Sequence, residues 1–252
     1  MTLLTAIGLI SGTSLDGIDA AILKTDGVRA VEPGASSFFP YSRDLKIFIR
    51  RAIKAALEGR DGAADIGKAA AEVTNAHVEA VAMLLEKAGL KRDRIDVIGF
   101  HGQTILHRPK RGPESIGRSW QIGDARLLAE ETRIDVVSDF RGADIAEGGE
   151  GAPLAPIYHA ALVSALARPH AVAVLNIGGV ANITYAPAAG GDLDILAFDC
   201  GPGNGLIDQW AELKTGAAMD EGGALAREGQ VHSDILRMML LNPYIRRRPP
   251  KS

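Results

Sequence analysis

Hydrophobic residues recur along the first third of this 252-residue chain in a pattern typical of a hairpin followed by two helices. An apolar run from Thr5, a turn over 12–17 and a second apolar run over 18–24 predict two antiparallel strands. Apolar residues at three- and four-residue steps then predict helices over 44–57 and 63–88. Both helices are expected to cover a sheet.

Strands and helices continue to alternate through the middle of the chain. The pattern predicts a strand over 95–100, a loop that carries His101, a strand over 120–122, a short helix opening at Asp124 and a strand over 134–138. Such alternation indicates crossover units and a partly parallel sheet, so the expected fold class is α/β.

The second half of the chain opens much as the first half does. A glycine-rich stretch at 148–153 predicts a hinge and a domain boundary, and a helix is expected over 154–167. Further strands are expected over 171–176, 180–185 and 195–198. We therefore expect two domains, 1–150 and 151–252.

Composition and charge exclude several classes of protein. Hydrophobic residues make up 46% of the chain and charged residues 23%, which is typical of a folded core and not of a disordered tail. The formal charge of −3 gives no general attraction to nucleic acid or anionic lipid. No apolar run approaches the roughly 18 residues of a membrane span, the N-terminus lacks a secretory signal, and Cys200 is the single cysteine. A cytoplasmic protein is expected.

The turn at 12–17 offers groups that bind phosphate. Its glycines leave backbone N–H groups free to face an anion, Thr13 and Ser14 add hydroxyls, and Asp16 can hold Mg²⁺ directly or through water. A Walker sequence is absent, and an ordinary hairpin turn explains the same residues equally well. The Gly-Gly turn at 176–182 is a second candidate, with Asn amides in place of hydroxyls.

Polar residues follow the predicted strands at the edge where ligands bind in open α/β sheets. Asp139 ends a strand and could act as a general base, whereas an ion pair with Arg141 is the alternative explanation. Asp199 lies between a strand and a helix start, where it could bind a ligand or close the turn. His101, Gln103 and Gln121 could line a sugar pocket.

Three other polar residues have a plain structural explanation. Asp124 and Asn204 stand where helix N-caps are expected. His77, on the apolar face of the second helix, is expected to be a core histidine and not a ligand.

Seven segments together resemble the anhydro-N-acetylmuramic acid kinase family, which are bacterial sugar kinases of the actin–hexokinase–heat-shock ATPase superfamily. They lie in the order of that family and cover nearly the whole chain. The segments are GLISGTSLDGID at 8–19, GFHGQT at 99–104, WQIGD at 120–124, DFR at 139–141 with Asp144, GGEGAPL at 148–154, LNIGGVAN at 175–182 and FDCGPGN at 198–204.

The resemblance implies an ATP- and Mg²⁺-dependent reaction in which water opens 1,6-anhydro-N-acetylmuramic acid and the freed 6-hydroxyl is phosphorylated. The product would be N-acetylmuramate 6-phosphate, an intermediate of cell-wall recycling. The implied fold is an actin-like ATPase with two similar ribonuclease-H-like domains around a cleft, the second incomplete. The implied partner is a small anhydro amino sugar, without nucleic acid or membrane, and a homodimer is considered.

The resemblance also implies roles for individual residues. Asp139 would be the base that activates water, and His101, Gln121, Asp124 and Arg141 would line the sugar pocket. The residues implied to bind ATP and its phosphates are Gly12, Thr13, Ser14, Leu15, Asp16, Gly17, Ile18, Asp19, Asn176, Gly178, Gly179, Asn182, Asp199, Gly201, Gly203 and Asn204. Asp16 would also be the Mg²⁺ ligand.

The sequence departs from the family pattern in two places. Glu150 stands where Gln is expected, and the family's sequences continue beyond Ser252 with a glycine-rich adenosine-binding segment. The chain is therefore expected to be truncated, and poorly soluble and inactive when expressed alone. Two alternative functions are open: a glycoside hydrolase that uses Asp139 with Asp124 or Asp199, and an inactive fragment that binds sugar.

Overall fold

The protein has a mixed α/β fold in a computed structural model that describes residues 2–108, 117–187, 195–249 and 251. The chain divides into two units, Met1–Leu154 and Ala155–Ser252. Within the described ranges, no helix is both long enough and apolar enough to cross a membrane. Two residues at the end of the chain, Pro250 and Ser252, lie outside the described residues.

The first unit contains a six-stranded mixed sheet. Its strands are β1 (Leu4–Ser11), β2 (Gly17–Thr25), β3 (Val31–Pro40), β4 (Val97–Arg108), β5 (Arg118–Ile122) and β6 (Val136–Ser138). The order is β3-β2-β1-β4-β5, and β6 also pairs with β4. Strand β4 runs parallel to β1 and β6 and antiparallel to β5. The prediction of a partly parallel sheet is confirmed.

Four helices accompany this sheet. They are α1 (Arg43–Leu57), α2 (Ala64–Ala88), α3 (Ala125–Thr132) and α4 (Phe140–Ala146). Helix α1 begins after Ser42, whose side chain accepts a hydrogen bond from the Leu45 N–H, and α2 ends at Gly89 in the left-handed conformation. The predicted bounds of the first two helices differ from the observed ones by one residue.

One hydrophobic core joins helices α1 and α2 to the sheet. Ile49 of α1, Leu84 of α2 and Ile98 of β4 are fully buried members of this core. His77 of α2 is equally buried; its Nδ1–H donates to the Val73 carbonyl at 2.7 Å. The ring meets Phe100 of β4 edge-on, with 4.9 Å between centroids. The prediction that His77 is a core residue is confirmed.

The second unit contains a three-stranded antiparallel sheet and short helices. The strands, in sheet order, are β7 (Val172–Ile177), β8 (Val180–Ala186) and β9 (Leu196–Pro202). The helices are α5 (Ala155–Ala165), α6 (Gly205–Thr215), α7 (Ala224–Glu228), α8 (Ser233–Leu240) and α9 (Pro243–Arg246). The buried hydrophobic residues described in this unit are mostly small, since all but Val163 are alanines.

The expected loop around His101 is wrong, because β4 continues through these residues to Arg108. Gly102 adopts a φ of 71°, and a Cβ there would lie 2.5 Å from the Ile122 carbonyl oxygen. The glycine therefore lets the strand kink and shift register where a loop was expected. In the same way β9 continues past Asp199, which lies within a strand and not at its end.

Several elements were not predicted, namely β3, α4 and the short helices α7, α8 and α9. Strand β3 contains Pro33 and Gly34, which normally indicate turns, but it lies at the sheet edge where proline is tolerated. Helix α4 is only seven residues long and follows Asp139 directly. Seven residues are too few for an apolar repeat that would predict a helix.

Candidate active site

The turn of the first hairpin is a compact loop between β1 and β2. The Leu15 N–H donates to the Gly12 carbonyl at 3.3 Å, and Leu15 has a left-handed φ of 60°. The Leu15 side chain is buried, whereas Thr13 and Ser14 are exposed. Ile18, the second residue of β2, is 1% exposed, so its side chain belongs to the core. The exposed surface of the loop consists of hydroxyl and backbone groups and the Asp16 carboxylate.

Two carboxylates lie at the start of β2. Oδ1 of Asp16 accepts hydrogen bonds from the Ser14 hydroxyl at 2.7 Å and the Gly17 N–H at 3.0 Å. Partial burial, together with the nearby Asp16 carboxylate, raises the pKa of Asp19. No group of three or more His, Cys, Asp or Glu residues suited to a metal ion occurs in the part of the chain that the structure describes. A cation here would therefore rely on one or two carboxylates.

Asp139 stands between β6 and α4 with its carboxylate exposed. It adopts a left-handed backbone (φ 57°, ψ 45°), which is uncommon for a residue other than glycine. Oδ1 accepts the Gly142 N–H at 3.2 Å. A Cβ at residue 142 would approach the Asp139 Cγ to 2.8 Å, so only glycine leaves room for this carboxylate.

Arg141 binds a histidine and a carbonyl instead of the neighbouring acid. Its Nε and Nη2 lie 3.1 Å and 2.9 Å from Nε2 of His101, and Nη1 donates to the Gly151 carbonyl. Among the described residues Asp139 takes part in no ion pair. The alternative of a structural Asp139–Arg141 ion pair is therefore wrong.

His101 is held in one tautomer by its two neighbours. Its Nδ1–H donates to the Gly102 carbonyl at 2.9 Å, so Nε2 carries the lone pair that accepts from Arg141. Burial lowers the pKa of His101, and the Arg141 cation lowers it further, although the bond to Gly102 opposes both effects. The imidazole is neutral, and its role here is to orient the guanidinium.

A polar face formed by residues of β4 and β5 contains Gln121. The Nε2 group of Gln121 donates to the Thr104 hydroxyl at 3.2 Å and to the Ser119 hydroxyl at 2.8 Å. The Ser119 hydroxyl also lies 3.1 Å from Nδ1 of His107. Burial lowers the pKa of His107, the nearby Arg141 adds to this effect, and Glu150 opposes it.

Sequence reasoning missed the other members of this polar face, Thr104, Ser119 and His107. The pairing register places Thr104 opposite Gln121 and His107 opposite Ser119. Alternation along β4 alone would not place both residues on one face, because they are three positions apart. The register shift between Thr104 and Leu106 brings them to the same face. Glu150, the departure from the family pattern, acts electrostatically on this face.

Asp124 is the N-cap of α3, as the alternative explanation held. Its carboxylate accepts the N–H groups of Arg126 and Leu127 at 2.9 Å and 3.0 Å. Beside it lies a cavity of about 560 Å³. The cavity is lined by Gly67, Ala70, Ala71, Gly123, Asp124, Ala125, Arg126, Leu127 and Ser138. Asp124 therefore lines the same cavity as Ser138, the residue that precedes Asp139.

The second glycine hairpin, in the other unit, is joined to the segment at 203–205. The Gly178 carbonyl accepts the Asn204 N–H at 2.8 Å, and the Gly179 carbonyl accepts the Gly203 N–H at 3.1 Å. A Cβ on Gly203 would overlap the Gly178 carbonyl oxygen. This close backbone approach requires glycine.

The remaining candidates of the second unit lie around the same hairpin. Asn182 pairs opposite Asn176 on β7 and opposite Asp199 on β9. Asn204 is the N-cap residue of α6, as predicted, but its side chain makes no capping bond and instead donates to Asp208 at 3.0 Å. The candidates that the structure gathers here are Asn176, Gly178, Gly179, Asn182, Asp199, Gly201, Gly203 and Asn204.

Comparison with known sequences identifies close relatives of the chain. The sequence profile described as anhydro-N-acetylmuramic acid kinase matches residues 4–252. An anhydro-N-acetylmuramic acid kinase from Gluconobacter oxydans is 51% identical over 250 residues, which cover 98% of this chain and 66% of that protein. One from Rhizorhabdus wittichii is 48% identical over 254 residues, covering 100% and 67%. The chain spans about two thirds of the length of the curated relatives it matches.

Solved structures resemble the chain only weakly. YeaZ from Pseudomonas aeruginosa is 15% identical and covers 80% of this chain and 68% of its own, with a TM-score of 0.28. A reductive activator for a corrinoid iron-sulfur protein is 12% identical, covers 79% of this chain and 31% of its own, and gives a TM-score of 0.37. Similarity at this level supports no argument about the site.

Proposed function

Because this chain belongs to the anhydro-N-acetylmuramic acid kinase family, we propose that it is an ATP-dependent sugar kinase. Its substrate would be 1,6-anhydro-N-acetylmuramic acid, which is opened by water and phosphorylated on the freed 6-hydroxyl. The product, N-acetylmuramate 6-phosphate, would return cell-wall amino sugar to metabolism.

The observation that carries the proposal is the state of Asp139. Its carboxylate is exposed, is oriented by the Gly142 N–H and is not neutralised by the adjacent Arg141, which binds His101. Non-glycine residues in left-handed conformations cluster at functional sites. A general base needs an acceptor oxygen that no cation has already taken, and Asp139 meets that requirement.

The proposed chemistry gives each of these groups a role. Asp139 accepts a proton from water while the water oxygen bonds to C1 of the sugar. The bond from C1 to O6 breaks, O6 bonds to the γ-phosphorus of ATP, and ADP leaves; Asp139 then returns its proton to solvent. Arg141, held by His101, and Gln121 would position the sugar. Asp124 would contact the sugar from the N-terminus of α3.

Phosphate groups would be bound by the two glycine hairpins. The first contributes Gly12, Thr13, Ser14, Leu15, Gly17, Ile18 and Asp19, mostly through exposed backbone and hydroxyl groups. The second contributes the residues gathered around Gly178 and Gly179. In this proposal the two units are the two ribonuclease-H-like domains of an actin-like ATPase.

The residues of the first hairpin fit Mg²⁺. Asp16 and Asp19 are exposed carboxylates close enough to influence each other, and the hydrogen bonds to Asp16 use Oδ1 only. Mg²⁺ usually keeps several waters and binds one or two carboxylates together with phosphate oxygens. We assign Asp16 as its ligand, directly or through water. The ion would neutralise charge on the transferred phosphate.

Product analysis in ¹⁸O-water tests the reaction. The chain is incubated with the anhydro sugar and MgATP, alone and as a chimera continued by the part of the Gluconobacter oxydans relative that this chain does not cover. If water attacks the anomeric carbon, the label appears at C1 of the product and not in phosphate. Free N-acetylmuramate formed without nucleotide would instead indicate the glycoside hydrolase.

In the same chimera, Asp139→Asn is expected to lower turnover about 10²- to 10⁴-fold, because the amide keeps the size of the side chain but cannot accept the proton. Sugar binding, measured by calorimetry, should be nearly unchanged. Asp135→Asn is the matched control, since this exposed acid lies at the opposite end of β6 from Asp139. Turnover of Asp139→Asn within a few-fold of the control would remove Asp139 from the mechanism.

A further inference from the structure

Gln103 is wholly buried, and its side chain reaches the loop of the first hairpin. Its Nε2 group donates to the Gly12 carbonyl at 3.2 Å and to the Thr104 carbonyl at 3.1 Å. Gly12 is the first residue after β1. The side-chain amide of Gln103 therefore holds the chain at the point where it leaves the sheet.

Two further contacts attach the same loop to its surroundings. The Ser11 hydroxyl donates to the backbone of β4 at 3.1 Å, and the Tyr41 N–H donates to the Asp16 carbonyl at 2.9 Å. With the bond from Gln103, these contacts fix both ends of the loop, at Gly12 and at Asp16. The loop is anchored from the side of the core.

These contacts occupy carbonyl groups and leave N–H groups available. The carbonyls at both ends of the loop accept hydrogen bonds, whereas the backbone N–H groups of Thr13 and Ser14 make none within the described residues. Successive free N–H groups form a concave partial positive charge that suits an anion. Because the anchoring contacts use the carbonyl groups, the N–H groups of Thr13 and Ser14 are the backbone groups left for a ligand.

The stability of the fold does not explain why Gln103 is a glutamine. Its Oε1 atom is buried and has no hydrogen-bond partner. Such an unpaired acceptor is destabilising, and an apolar side chain of similar size would avoid that cost. The feature of Gln103 that the fold uses is the donor directed at Gly12.

We propose that Gln103 is a positioning residue for phosphate binding, which acts by holding the Gly12 carbonyl so that the loop's N–H groups face the phosphate. The inference rests on the proposed function of this hairpin as a phosphate loop. Gln103 touches no substrate itself. It acts through the backbone of the loop.

The test uses Gln103→Met in the 252-residue chain, with inorganic tripolyphosphate and MgCl2 as the probe. NMR shifts of the amides at 13–17 report binding. Losing one positioning hydrogen bond should weaken tripolyphosphate binding about 3- to 10-fold and speed hydrogen exchange of the Leu15 amide, while Tm shifts by only a few degrees. Ile105→Val, a buried change two residues further along the same strand, should leave affinity unchanged.

The outcomes separate the positioning role from the phosphate loop. Binding by wild type with equal affinity in Gln103→Met would overturn the role of Gln103 and leave the loop in place. Absence of binding by wild type would remove both. If the methionine variant melts more than about 10 °C below wild type, Gln103→Asn replaces it, because it keeps an amide but cannot reach Gly12. Weakened binding by the asparagine variant supports the role, and unchanged binding refutes it.

Discussion

The Asp139 carboxylate and the backbone of Gly142 depend on each other. The acid caps helix α4 through the Gly142 N–H, and the space that the carboxylate occupies exists because residue 142 has no Cβ. A side chain usually tolerates a methyl group placed beside it by rotating away. Here rotation would break the only hydrogen bond that orients the proposed base within the described residues.

Gly142→Ala is therefore expected to lower turnover of the chimera about 10- to 100-fold, because the added methyl displaces the Asp139 carboxylate from the water that it would activate. Gly62→Ala is the matched control: Gly62 is exposed and nothing lies within 4 Å of its Cβ position. That change should raise stability by up to about 1 kcal/mol without affecting turnover. Equal turnover in both variants would show that Asp139 adapts to the methyl group.

At the scale of elements, the packing of helix α2 against strand β4 includes a neutral histidine. Burial lowers the pKa of His77 to about 4, against an ordinary value of 6.5, even though the Val73 carbonyl favours the cation. As pH falls below 6.5, His77 binds a proton in the unfolded chain, whereas in the folded chain it binds one only as the pH nears 4. The packing therefore loses stability between pH 6.5 and about pH 4, by roughly 3 kcal/mol in total.

His77→Leu should remove this part of the pH dependence. Urea unfolding at pH 7 and pH 4.5 is expected to show a smaller difference in unfolding free energy for the variant than for wild type. His170→Gln serves as the control, because His170 is exposed and the difference should stay as in wild type. The same pH dependence in His77→Leu and wild type would mean that His77 gains its proton without opening the packing.

Periodicity predicted the first two helices and the first hairpin closely, because apolar residues repeat there over several turns or along whole strands. It failed at β4, since Gly102 looks like the end of a strand when read in sequence but serves as a kink inside it. It failed at β3, since Pro33 is acceptable only because that strand lies at an edge, and edges are set by distant pairing.

The candidate site was predicted as residue types at strand ends, and the contacts between them were not. The choice of His101 instead of Asp139 as the partner of Arg141 depends on the turn into α4, which no local pattern indicates. The burial of Gln103 follows from the continuation of β4, so its bond to Gly12 could not be foreseen. These contacts join residues that lie 40 and 91 positions apart in the sequence.

At the scale of the whole molecule, the two units differ in what they bury. The core of the first unit contains large residues such as Ile7, Ile49 and Leu84, whereas buried hydrophobic residues of the second unit are mostly alanines. In the second unit Trp210 is 57% exposed and Leu213 74% exposed. Hydrophobic stabilisation follows the apolar area removed from water, so it is weaker in the second unit.

We therefore expect the second unit to open before the first. In hydrogen exchange followed by mass spectrometry, peptides from 155–252 should lose protection at lower urea concentration than peptides from 2–108. Limited proteolysis should likewise leave a resistant fragment ending near Leu154. Uniform protection of both units and a single cooperative melt of the entire chain would contradict this order of opening.

The position of β4 in the sheet limits how the sequence of this protein can evolve. A single strand runs beside β1, β5 and β6 and carries in succession the partner of Arg141, the anchor of the glycine loop and the polar face. Substitutions alter these features one at a time. Gain or loss of one residue between Val97 and Arg108 would reverse the facing of every later side chain, because side chains alternate along a strand. Lineages should therefore vary in the identity of these twelve residues but not in their number.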